Sequence, residues 1–354
     1  MFSARLCEIT NFPILASFNL RYHTQDTNLA GMTEEHIQIV VLDTHPADVG
    51  DMDWEPLRAL GELTLYSNTK SEEVGERIAD ADVVYTNKVK LPASEFEAAP
   101  KLRLVSTLST GYDTVDLDAA RKAGVTVCNV PAYSTASTAQ TTVALLLELT
   151  QHIGAHDASV KAGDWTNSPA FSYWKYPLTE LDGKTLVLVG TGSIGIRVGI
   201  ICEAMGMKVV SAQLPGRDSQ SDSPFPRLSL DEALPLADVV SLHCPATPET
   251  RGLVDADFVS KMKNSAFLIN TARGTVVDEA AVAKALFDGQ IAGYAADVLS
   301  TEPPAAKNPL LSAPRTVITP HIAWATLESR TRLLQASVQN VKAFLEGKPQ
   351  NVVS

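Results

Sequence analysis

Residues 181–210 read LDGKTLVLVGTGSIGIRVGIICEAMGMKVV. Within them Thr185–Val189 is a short apolar run rich in β-branched residues, the pattern of a strand buried on both faces inside a parallel sheet. A glycine turn follows at once, with Gly190, Gly192 and Gly195 spaced as G-x-G-x-x-G. Residues 194–206 then carry apolar side chains at helical spacing, and a second strand begins near Met207. Glycine at the first position permits a tight turn. At the second it lets backbone N–H groups approach a pyrophosphate, and at the third it lets helix and strand pack closely. Unpaired N–H groups and the positive end of the helix dipole converge on the same point. Strand, glycine turn, helix and strand in this order predict a dinucleotide site over Gly190, Gly192, Ser193, Ile194 and Gly195.

Downstream, strand-like runs recur at residues 237–243, 266–270, 293–299 and 316–319. With the first two they predict a six-stranded sheet of two mononucleotide-binding halves, a Rossmann domain. Upstream, runs at 37–42, 63–66, 81–86, 102–108 and 125–130 alternate with helical or irregular segments, which predicts a second parallel α/β sheet of five strands. Pro131 ends it. Ser134 or Thr135 then starts a helix through Leu145, Leu146, Leu147 and Leu149, apolar nearly all round and expected to be buried between domains. Residues 162–180 form a linking segment rich in aromatics and prolines. Residues 325–346 place Leu327, Leu334, Val338, Val341 and Leu345 on one helical face, with Gly347 as the stop and Pro349 beyond. That helix is expected to cross back over the first domain. The predicted organisation is thus two doubly wound parallel-sheet domains. A flavodoxin-like substrate domain over 36–131, completed by 325–354, holds a dinucleotide-binding domain over 132–324 as an insert.

Composition narrows the function. The chain has 354 residues, 45% of them apolar, enough for two domains of roughly 150 residues each. A net charge of −12, with no run among the 29 Lys and Arg residues, argues against nucleic acid, whose phosphates need clustered cations. A small molecule fits better. Cys7, Cys128, Cys202 and Cys244 lie far apart with no C-x-x-C, so reduced cytoplasmic thiols are expected and zinc is not. No apolar run approaches the ~20 residues that span a bilayer, and no membrane partner is expected. Residues 1–35 hold one mostly apolar patch, 12–18, and no cleavage signal. Met32 stands just before the first strand, which leaves open whether residues 1–31 are an upstream extension or a true N-terminal arm.

Three polar residues stand at or just beyond the carboxyl ends of successive predicted strands, where open α/β sheets place ligands: Arg273, Glu302 and His321. Singly, each has an ordinary structural reading as a surface cation, a solvated acid or a core histidine. Together beside a dinucleotide turn they point to chemistry. Hydride transfer between nicotinamide and a 2-keto acid needs a cation, an acid/base and a group that tunes it. A guanidinium forks onto the carboxylate and polarises the keto oxygen. A histidine gives the developing alkoxide its proton. A carboxylate bonded to that imidazole fixes its tautomer and favours its protonated form.

With these residues in view the chain resembles the D-2-hydroxyacid dehydrogenases. The resemblance rests on Gly190-Thr191-Gly192-Ser193-Ile194-Gly195, Asn270-Thr271-Ala272-Arg273-Gly274, Asp297-Val298-Leu299-Ser300-Thr301-Glu302-Pro303 and Thr319-Pro320-His321-Ile322-Ala323. It runs from about residue 36 to the C-terminus and implies an NAD(P)-dependent enzyme. Arg273 would bind substrate, His321 would donate the proton and Glu302 would be its partner. Asp297 would sit near the nicotinamide carboxamide, with Thr271, Ala272, Arg273 and His321 also meeting the cofactor. The backbone of Ser109, Thr110 and Gly111 would receive the substrate carboxylate. Text around Tyr173 to Asp182, Asn129 to Tyr133 and His321 to Trp324 is similar to the glycerate dehydrogenase (hydroxypyruvate reductase) branch. Hydroxypyruvate/glycerate and glyoxylate/glycolate are the implied substrate pairs.

One departure concerns the cofactor. The end of Lys208–Ala212 should present an acid to the adenosine ribose, and Gln213 stands there. Gln213 therefore does not secure NAD preference; the resemblance makes NAD the default, with NADP also accepted and Arg217, offset by Asp218, in reach of a 2′-phosphate. Cys244 and Pro245 are read as backbone neighbours of the adenosine. His152 and His156, spaced i, i+4, read as a solvated helix face, and no metal is assigned. Lys88 reads as a surface lysine, with a cation at the cleft as the alternative. The apolar helices over 135–152 and beside the glycine turn predict a homodimer, and two lobes are expected to hinge near 131–135 and 322–325. Two other readings stay open. A nicotinamide-sensing binding protein like the dehydrogenase-fold transcriptional corepressors shares the triad. A formate dehydrogenase fits less well, since those relatives carry an amide where Glu302 stands.

Overall fold

The computed structural model describes residues 37–45, 47–216 and 223–354. The expectations for residues 1–35 and for Arg217 and Asp218 fall outside the described residues.

Five short strands, β1 (Gln38–Val41), β2 (Glu62–Leu65), β3 (Val83–Thr86), β4 (Leu104–Thr107) and β5 (Thr126–Cys128), make one sheet in the order β2-β1-β3-β4-β5. All its pairings are parallel, and the order is the flavodoxin-like one. Side chains alternate between the two faces as a strand requires. Ile39, Val41, Val83, Tyr85 and Leu104 join one core cluster, while Val40, Leu42, Val84, Val105 and Val127 join another with Ile78, Phe96 and Ala120.

The C-terminal helix Leu327–Leu345 covers the first of these faces. Its Leu333, Leu334, Val338 and Val341 are buried in the cluster of Ile39 and Tyr85. The Thr326 side chain caps it by accepting the Ser329 N–H, and Arg330 forks onto the Asp51 carboxylate at 2.6 and 2.7 Å. The chain then adds its end to the sheet edge, where Val352 pairs antiparallel with Cys128. One stripe position is corrected: Leu327 lies in the first turn beyond the reach of the sheet and is 49% exposed.

The second sheet has strands β6 (Thr185–Val189), β7 (Lys208–Ala212), β8 (Arg227–Leu228), β9 (Val239–Leu242), β10 (Phe267–Asn270), β11 (Gly293–Ala296) and β12 (Thr316–Ile318). Their order is β12-β11-β10-β9-β6-β7-β8, and every pairing is parallel. The sheet is seven-stranded, not six-stranded as the sequence pattern suggests. Strand β8 pairs only Arg227 with Ser211 and Leu228 with Ala212, and two residues carry no readable periodicity. Chain direction reverses between β6 and β9, the switch point at which such sheets hold ligands.

The helix Thr135–Gln151 lies on this sheet beside the glycine-turn helix Ser193–Ala204. Its Ala139, Val143, Leu145, Leu146 and Leu149 are buried with Leu186, Leu188, Ile269 and Ala295. The chain itself therefore satisfies the apolar faces of this helix, and they are no ground for a dimer. Neither expected side chain caps it; Ser134 holds the cap position without a side-chain bond. His152 takes a left-handed conformation, φ 51°, which ends the helix, and a new one runs Ile153–Lys161. His152 and His156 thus share no continuous helix. The His156 Nδ1–H donates to the His152 carbonyl at 2.8 Å and Nε2 accepts the Lys175 N–H at 3.1 Å, so that ring is spent on structure. No helix among the described residues is long and apolar enough to cross a membrane.

Candidate active site

The glycine turn sits where the sequence puts it. Gly190 has φ 103°, and a Cβ there would lie 2.6 Å from the His243 carbonyl carbon and 2.7 Å from the Cys244 nitrogen, so only glycine fits between the ends of β6 and β9. A Cβ on Gly195 would meet the Gly190 oxygen at 2.2 Å, which is the close helix–strand packing expected of the third glycine. Gly192 differs, with open space on its Cβ side. It is the N-cap of Ser193–Ala204, leaving the N–H groups of that first turn accessible to a pyrophosphate. A cavity of about 220 Å³ beside the turn is lined by Gly190, Thr191, Gly192, Ala212, Leu214, Arg227, Cys244 and Pro245, with Ser211 and His243. Its shape and lining fit the adenosine end of a dinucleotide. His243 is half-buried with its Nδ1 shut off from solvent; desolvation holds its imidazole down at about 4, and it stays neutral beside the cavity. Gln213, at the end of β7, is exposed and is not among the lining residues. Among the described residues that line this cavity the cation is Arg227, delivered by the strand the sequence pattern missed.

Arg273 follows β10 on a turn braced by Asn270, whose side chain accepts the Ala272 N–H and donates to the Arg273 carbonyl, both at 3.0 Å. Thr271 turns away, its hydroxyl bonded to Thr142 at 2.8 Å. The Arg273 guanidinium reaches across to the other sheet, where its Nη2 lies 3.2 Å from the position a Cβ on Gly111 would take. The Ser109–Thr110–Gly111 loop follows β4 and is shaped by its own side chains: Ser109 Oγ donates to the Gly111 carbonyl at 2.5 Å and Thr110 Oγ1 to that of Val130 at 2.9 Å. Backbone N–H groups and guanidinium together make a cradle suited to a carboxylate.

His321 and Glu302 meet directly. Nδ1–H of His321 donates to Glu302 Oε2 at 2.6 Å. Glu302 Oε1 accepts the Leu299 N–H at 3.0 Å. Partial burial pushes the Glu302 carboxyl up, but the His321 hydrogen bond and charge, the Leu299 N–H and the Lys88 ammonium outweigh it and hold its pKa below the ordinary value. With Nδ1 bonded to Glu302, the imidazole's Nε2 has no hydrogen-bond partner among the described residues and can exchange a proton with a ligand. His321 has φ 56°, a left-handed conformation for a non-glycine residue, and Asp297 supports it. The Asp297 carboxylate accepts Thr319 Oγ1 at 2.5 Å, the Ile322 N–H at 2.9 Å and the Ala323 N–H at 2.8 Å. Burial pushes its pKa up against these donors. Asp297 is thus committed to bracing the histidine loop, a task that the resemblance did not suggest.

Other supports escaped the sequence reading. Glu279 accepts the Ser300 N–H at 2.7 Å and its hydroxyl at 2.8 Å, fixing the loop of Glu302. Trp324 Nε1 donates to the His321 carbonyl at 2.9 Å, and Tyr133 packs edge-on against that indole. Glu279 and Tyr133 are distant in sequence from what they support, and no local spacing marks them; Trp324 is three residues from His321, and its bond depends on the turn the chain takes there.

Residues 143–323 match the family model described as "D-isomer specific 2-hydroxyacid dehydrogenase, NAD binding domain". The chain is 44% identical to the hydroxypyruvate reductase of Blautia hydrogenotrophica over 321 residues, 90% of this chain and 100% of that one. It is 40% identical to the glycerate dehydrogenase of Methylorubrum extorquens, over 80% of this chain and 88% of that one. Among solved structures it is similar to an NADPH-dependent glyoxylate/hydroxypyruvate reductase of Sinorhizobium meliloti in complex with citrate. That match has a TM-score of 0.77 and 28% identity, and covers 90% of this chain and 98% of the other.

Proposed function

The chain belongs to the D-isomer specific 2-hydroxyacid dehydrogenase family, and from that premise we propose that this NAD(P)-dependent oxidoreductase interconverts hydroxypyruvate and D-glycerate, with glyoxylate and glycolate as the smaller pair. The observation that carries the proposal is the 2.6 Å bond between His321 and Glu302, on the same sheet edge as the Arg273 guanidinium that reaches the Gly111 loop. When bound, the dinucleotide supplies the hydride for reduction. The residues of the chain do the rest. Arg273 and the N–H groups of Ser109, Thr110 and Gly111 hold the substrate carboxylate, and Arg273 polarises the keto oxygen. His321 Nε2 delivers the proton to the developing alkoxide while Glu302 stabilises the imidazolium. Gly190, Gly192, Ser193, Ile194 and Gly195 hold the pyrophosphate, and the backbone at Cys244 and Pro245 lines the adenosine cavity.

In this reading residues 36–131 with 325–354 are the substrate domain and 132–324 the dinucleotide domain, with closure between them excluding water from the hydride path. A homodimer is supported by a band of exposed apolar side chains, with Phe171 91%, Trp174 69% and Ile153 63% exposed. A cytoplasmic location suits three buried cysteines, Cys128, Cys202 and Cys244, that form no disulfide among the described residues. Oxidation of NADH and NADPH, followed separately on a panel of 2-keto acids, tests the activity. Hydroxypyruvate is expected to lead the panel, and silence of both cofactors with every keto acid would refute it. A monomeric mass at micromolar concentration would remove the dimer.

A further inference from the structure

Every carbonyl of the 109–111 loop is claimed by a donor. That of Ser109 accepts the Val130 N–H at 3.0 Å and the Thr107 hydroxyl at 3.2 Å. That of Thr110 accepts Asn129 Nδ2 at 2.8 Å, and that of Gly111 accepts Ser109 Oγ at 2.5 Å. A trans peptide unit is planar, with its C=O and N–H pointing opposite ways. Each claimed carbonyl therefore turns the next residue's N–H away from the donor that claims it. The N–H groups set in this way are those of Thr110, Gly111 and Tyr112, and none has an acceptor among the described residues. Successive N–H groups left unpaired in a turn suit an anion. The Arg273 guanidinium stands at the middle one, with Nη2 3.2 Å from the Cβ position of Gly111.

The peptide that carries the Gly111 N–H thus depends on the side chain of Asn129, which follows β5 and is 9% exposed. Asn129 is itself fixed by a closed ring of three bonds. Its N–H donates to the Asn351 carbonyl at 3.1 Å, Asn351 Nδ2 donates to Asn340 Oδ1 at 2.8 Å, and Asn340 Nδ2 returns to the Asn129 carbonyl at 2.8 Å. Asn340 lies on the C-terminal helix and is completely buried. Burying an amide costs stability unless its polar atoms are paired, and groups that satisfy one another in a ring hold one geometry. Sheet pairing alone does not call for this ring. The Val353 N–H donates to the Val127 carbonyl at 2.8 Å and Val352 pairs with Cys128, which already join the segment to β5. What the ring adds is a fixed direction for the Asn129 side chain, and that side chain ends on the Thr110 carbonyl.

We propose that Asn129 is a positioning residue for the substrate carboxylate. It holds the Thr110–Gly111 peptide so that the Gly111 N–H and the Arg273 guanidinium serve one carboxylate, and Asn340 and Asn351 hold Asn129. The inference rests on the 2-hydroxyacid dehydrogenase reading, in which this loop receives that carboxylate. Asn129 acts through the peptide and not by contact with substrate.

The test follows kcat and KM for hydroxypyruvate, the Ki of oxamate, dinucleotide Kd by fluorescence titration, and the thermal midpoint. Asn129→Leu removes the donor. Asn129→Asp keeps the shape of the side chain and donates to the Thr110 carbonyl only when protonated. Asn351→Gly removes one amide of the ring at an exposed position whose left-handed φ, 54°, suits glycine. Asn129→Leu is expected to raise KM and the oxamate Ki together by roughly 10- to 100-fold, the range for one hydrogen bond to a charged group. Its kcat and dinucleotide Kd should stay within about threefold, since the lost contact is to the carboxylate in ground and transition states alike. In Asn129→Asp the KM defect, taken as a ratio to the unmutated enzyme at each pH, should shrink as pH falls and the carboxyl regains its proton. Asn351→Gly should raise KM and Ki by about threefold, as loss of a neutral hydrogen bond does. A folded Asn129→Leu with unmoved KM and Ki would show that Gly111 does not need Asn129. A dinucleotide Kd that weakens as much as KM would make the amide a general support of the fold, and a pH-independent defect in Asn129→Asp would show that the donor is not what matters. Should neither Asn129 variant fold, Asn351→Gly decides, and an unmoved KM there overturns the proposal. Each of these results leaves the dehydrogenase reading intact, whereas an unmutated enzyme that turns over no 2-keto acid overturns both.

Discussion

Gly274→Ala tests how closely the two halves of the chemistry are locked together. Gly274 follows Arg273, and its Cα faces the backbone at the start of the loop that carries Glu302. A Cβ built there lies 1.9 Å from the Leu299 carbonyl carbon, 2.1 Å from its oxygen and 2.3 Å from the Ser300 nitrogen. All three are backbone atoms, so no side-chain rotation relieves the overlap. Restoring ordinary contact requires the two loops to part by about 1.5 Å. Overpacking of this kind costs roughly 1–3 kcal/mol of stability. Catalysis should suffer more, because a displacement of about 1 Å between reacting groups costs on the order of 10²-fold. The assay is kcat/KM for hydroxypyruvate alongside the thermal midpoint, with Gly183→Ala as the control. Gly183 differs in having a positive φ, 71°, and open space around it, so the control should lose stability through backbone strain without losing specific activity. The expected result for Gly274→Ala is a folded protein with kcat/KM reduced about a hundredfold. A folded variant within threefold of the unmutated enzyme would show that the spacing of Arg273 and Glu302 is not fixed by this contact.

Three further predictions follow from the same geometry. Glu302→Gln removes the carboxylate bonded to His321 Nδ1, so the basic limb of the keto-acid reduction profile should move to lower pH. A limb that stays in place would break the pairing of Glu302 with His321. Asp297→Asn puts an amide where three donors converge, and kcat should fall with little change in cofactor Kd, because the loss acts through the His321 loop. Equal loss of dinucleotide binding, read by fluorescence titration, would assign Asp297 to the cofactor instead. With Gln213 neutral and Arg227 in the adenosine cavity, NADH and NADPH use should differ by about 10- to 100-fold, equivalent to about 1.4–2.8 kcal/mol. Gln213→Asp should depress NADPH use by placing a charge near the 2′-phosphate, and Arg227→Ala should weaken NADPH selectively. A preference ratio unmoved by both substitutions would refute the reasoning.

What the sequence determined by itself was whatever local spacing encodes. Thr185–Val189, the three glycines and Lys208–Ala212 stand where the apolar run, the turn and the second run put them, because strand, turn and helix each impose a short-range pattern. Arg273, Glu302 and His321 were legible for a related reason: each follows a strand of one parallel sheet, and parallel strands deliver their carboxyl ends to one edge. Tertiary structure decided the rest. Strand β8 exists only because β7 offers it an edge, and with it Arg227 enters the adenosine cavity while the exposed Gln213 is not among its lining residues. The helix Thr135–Gln151 looked too apolar for a surface and proved to lie against its own sheet, a matter of what packs on it and not of its own sequence. Asp297 carries the same letter whether it meets a ligand or braces a loop; the three donors that converge on it come from residues more than twenty positions away. Asp43 likewise reads as any acid after a strand until its buried carboxylate is seen to accept the backbone N–H groups of Asn87, Lys88 and Val89, more than forty residues on. Burial and long-range hydrogen bonding assign these roles, and neither leaves a periodic trace in the chain.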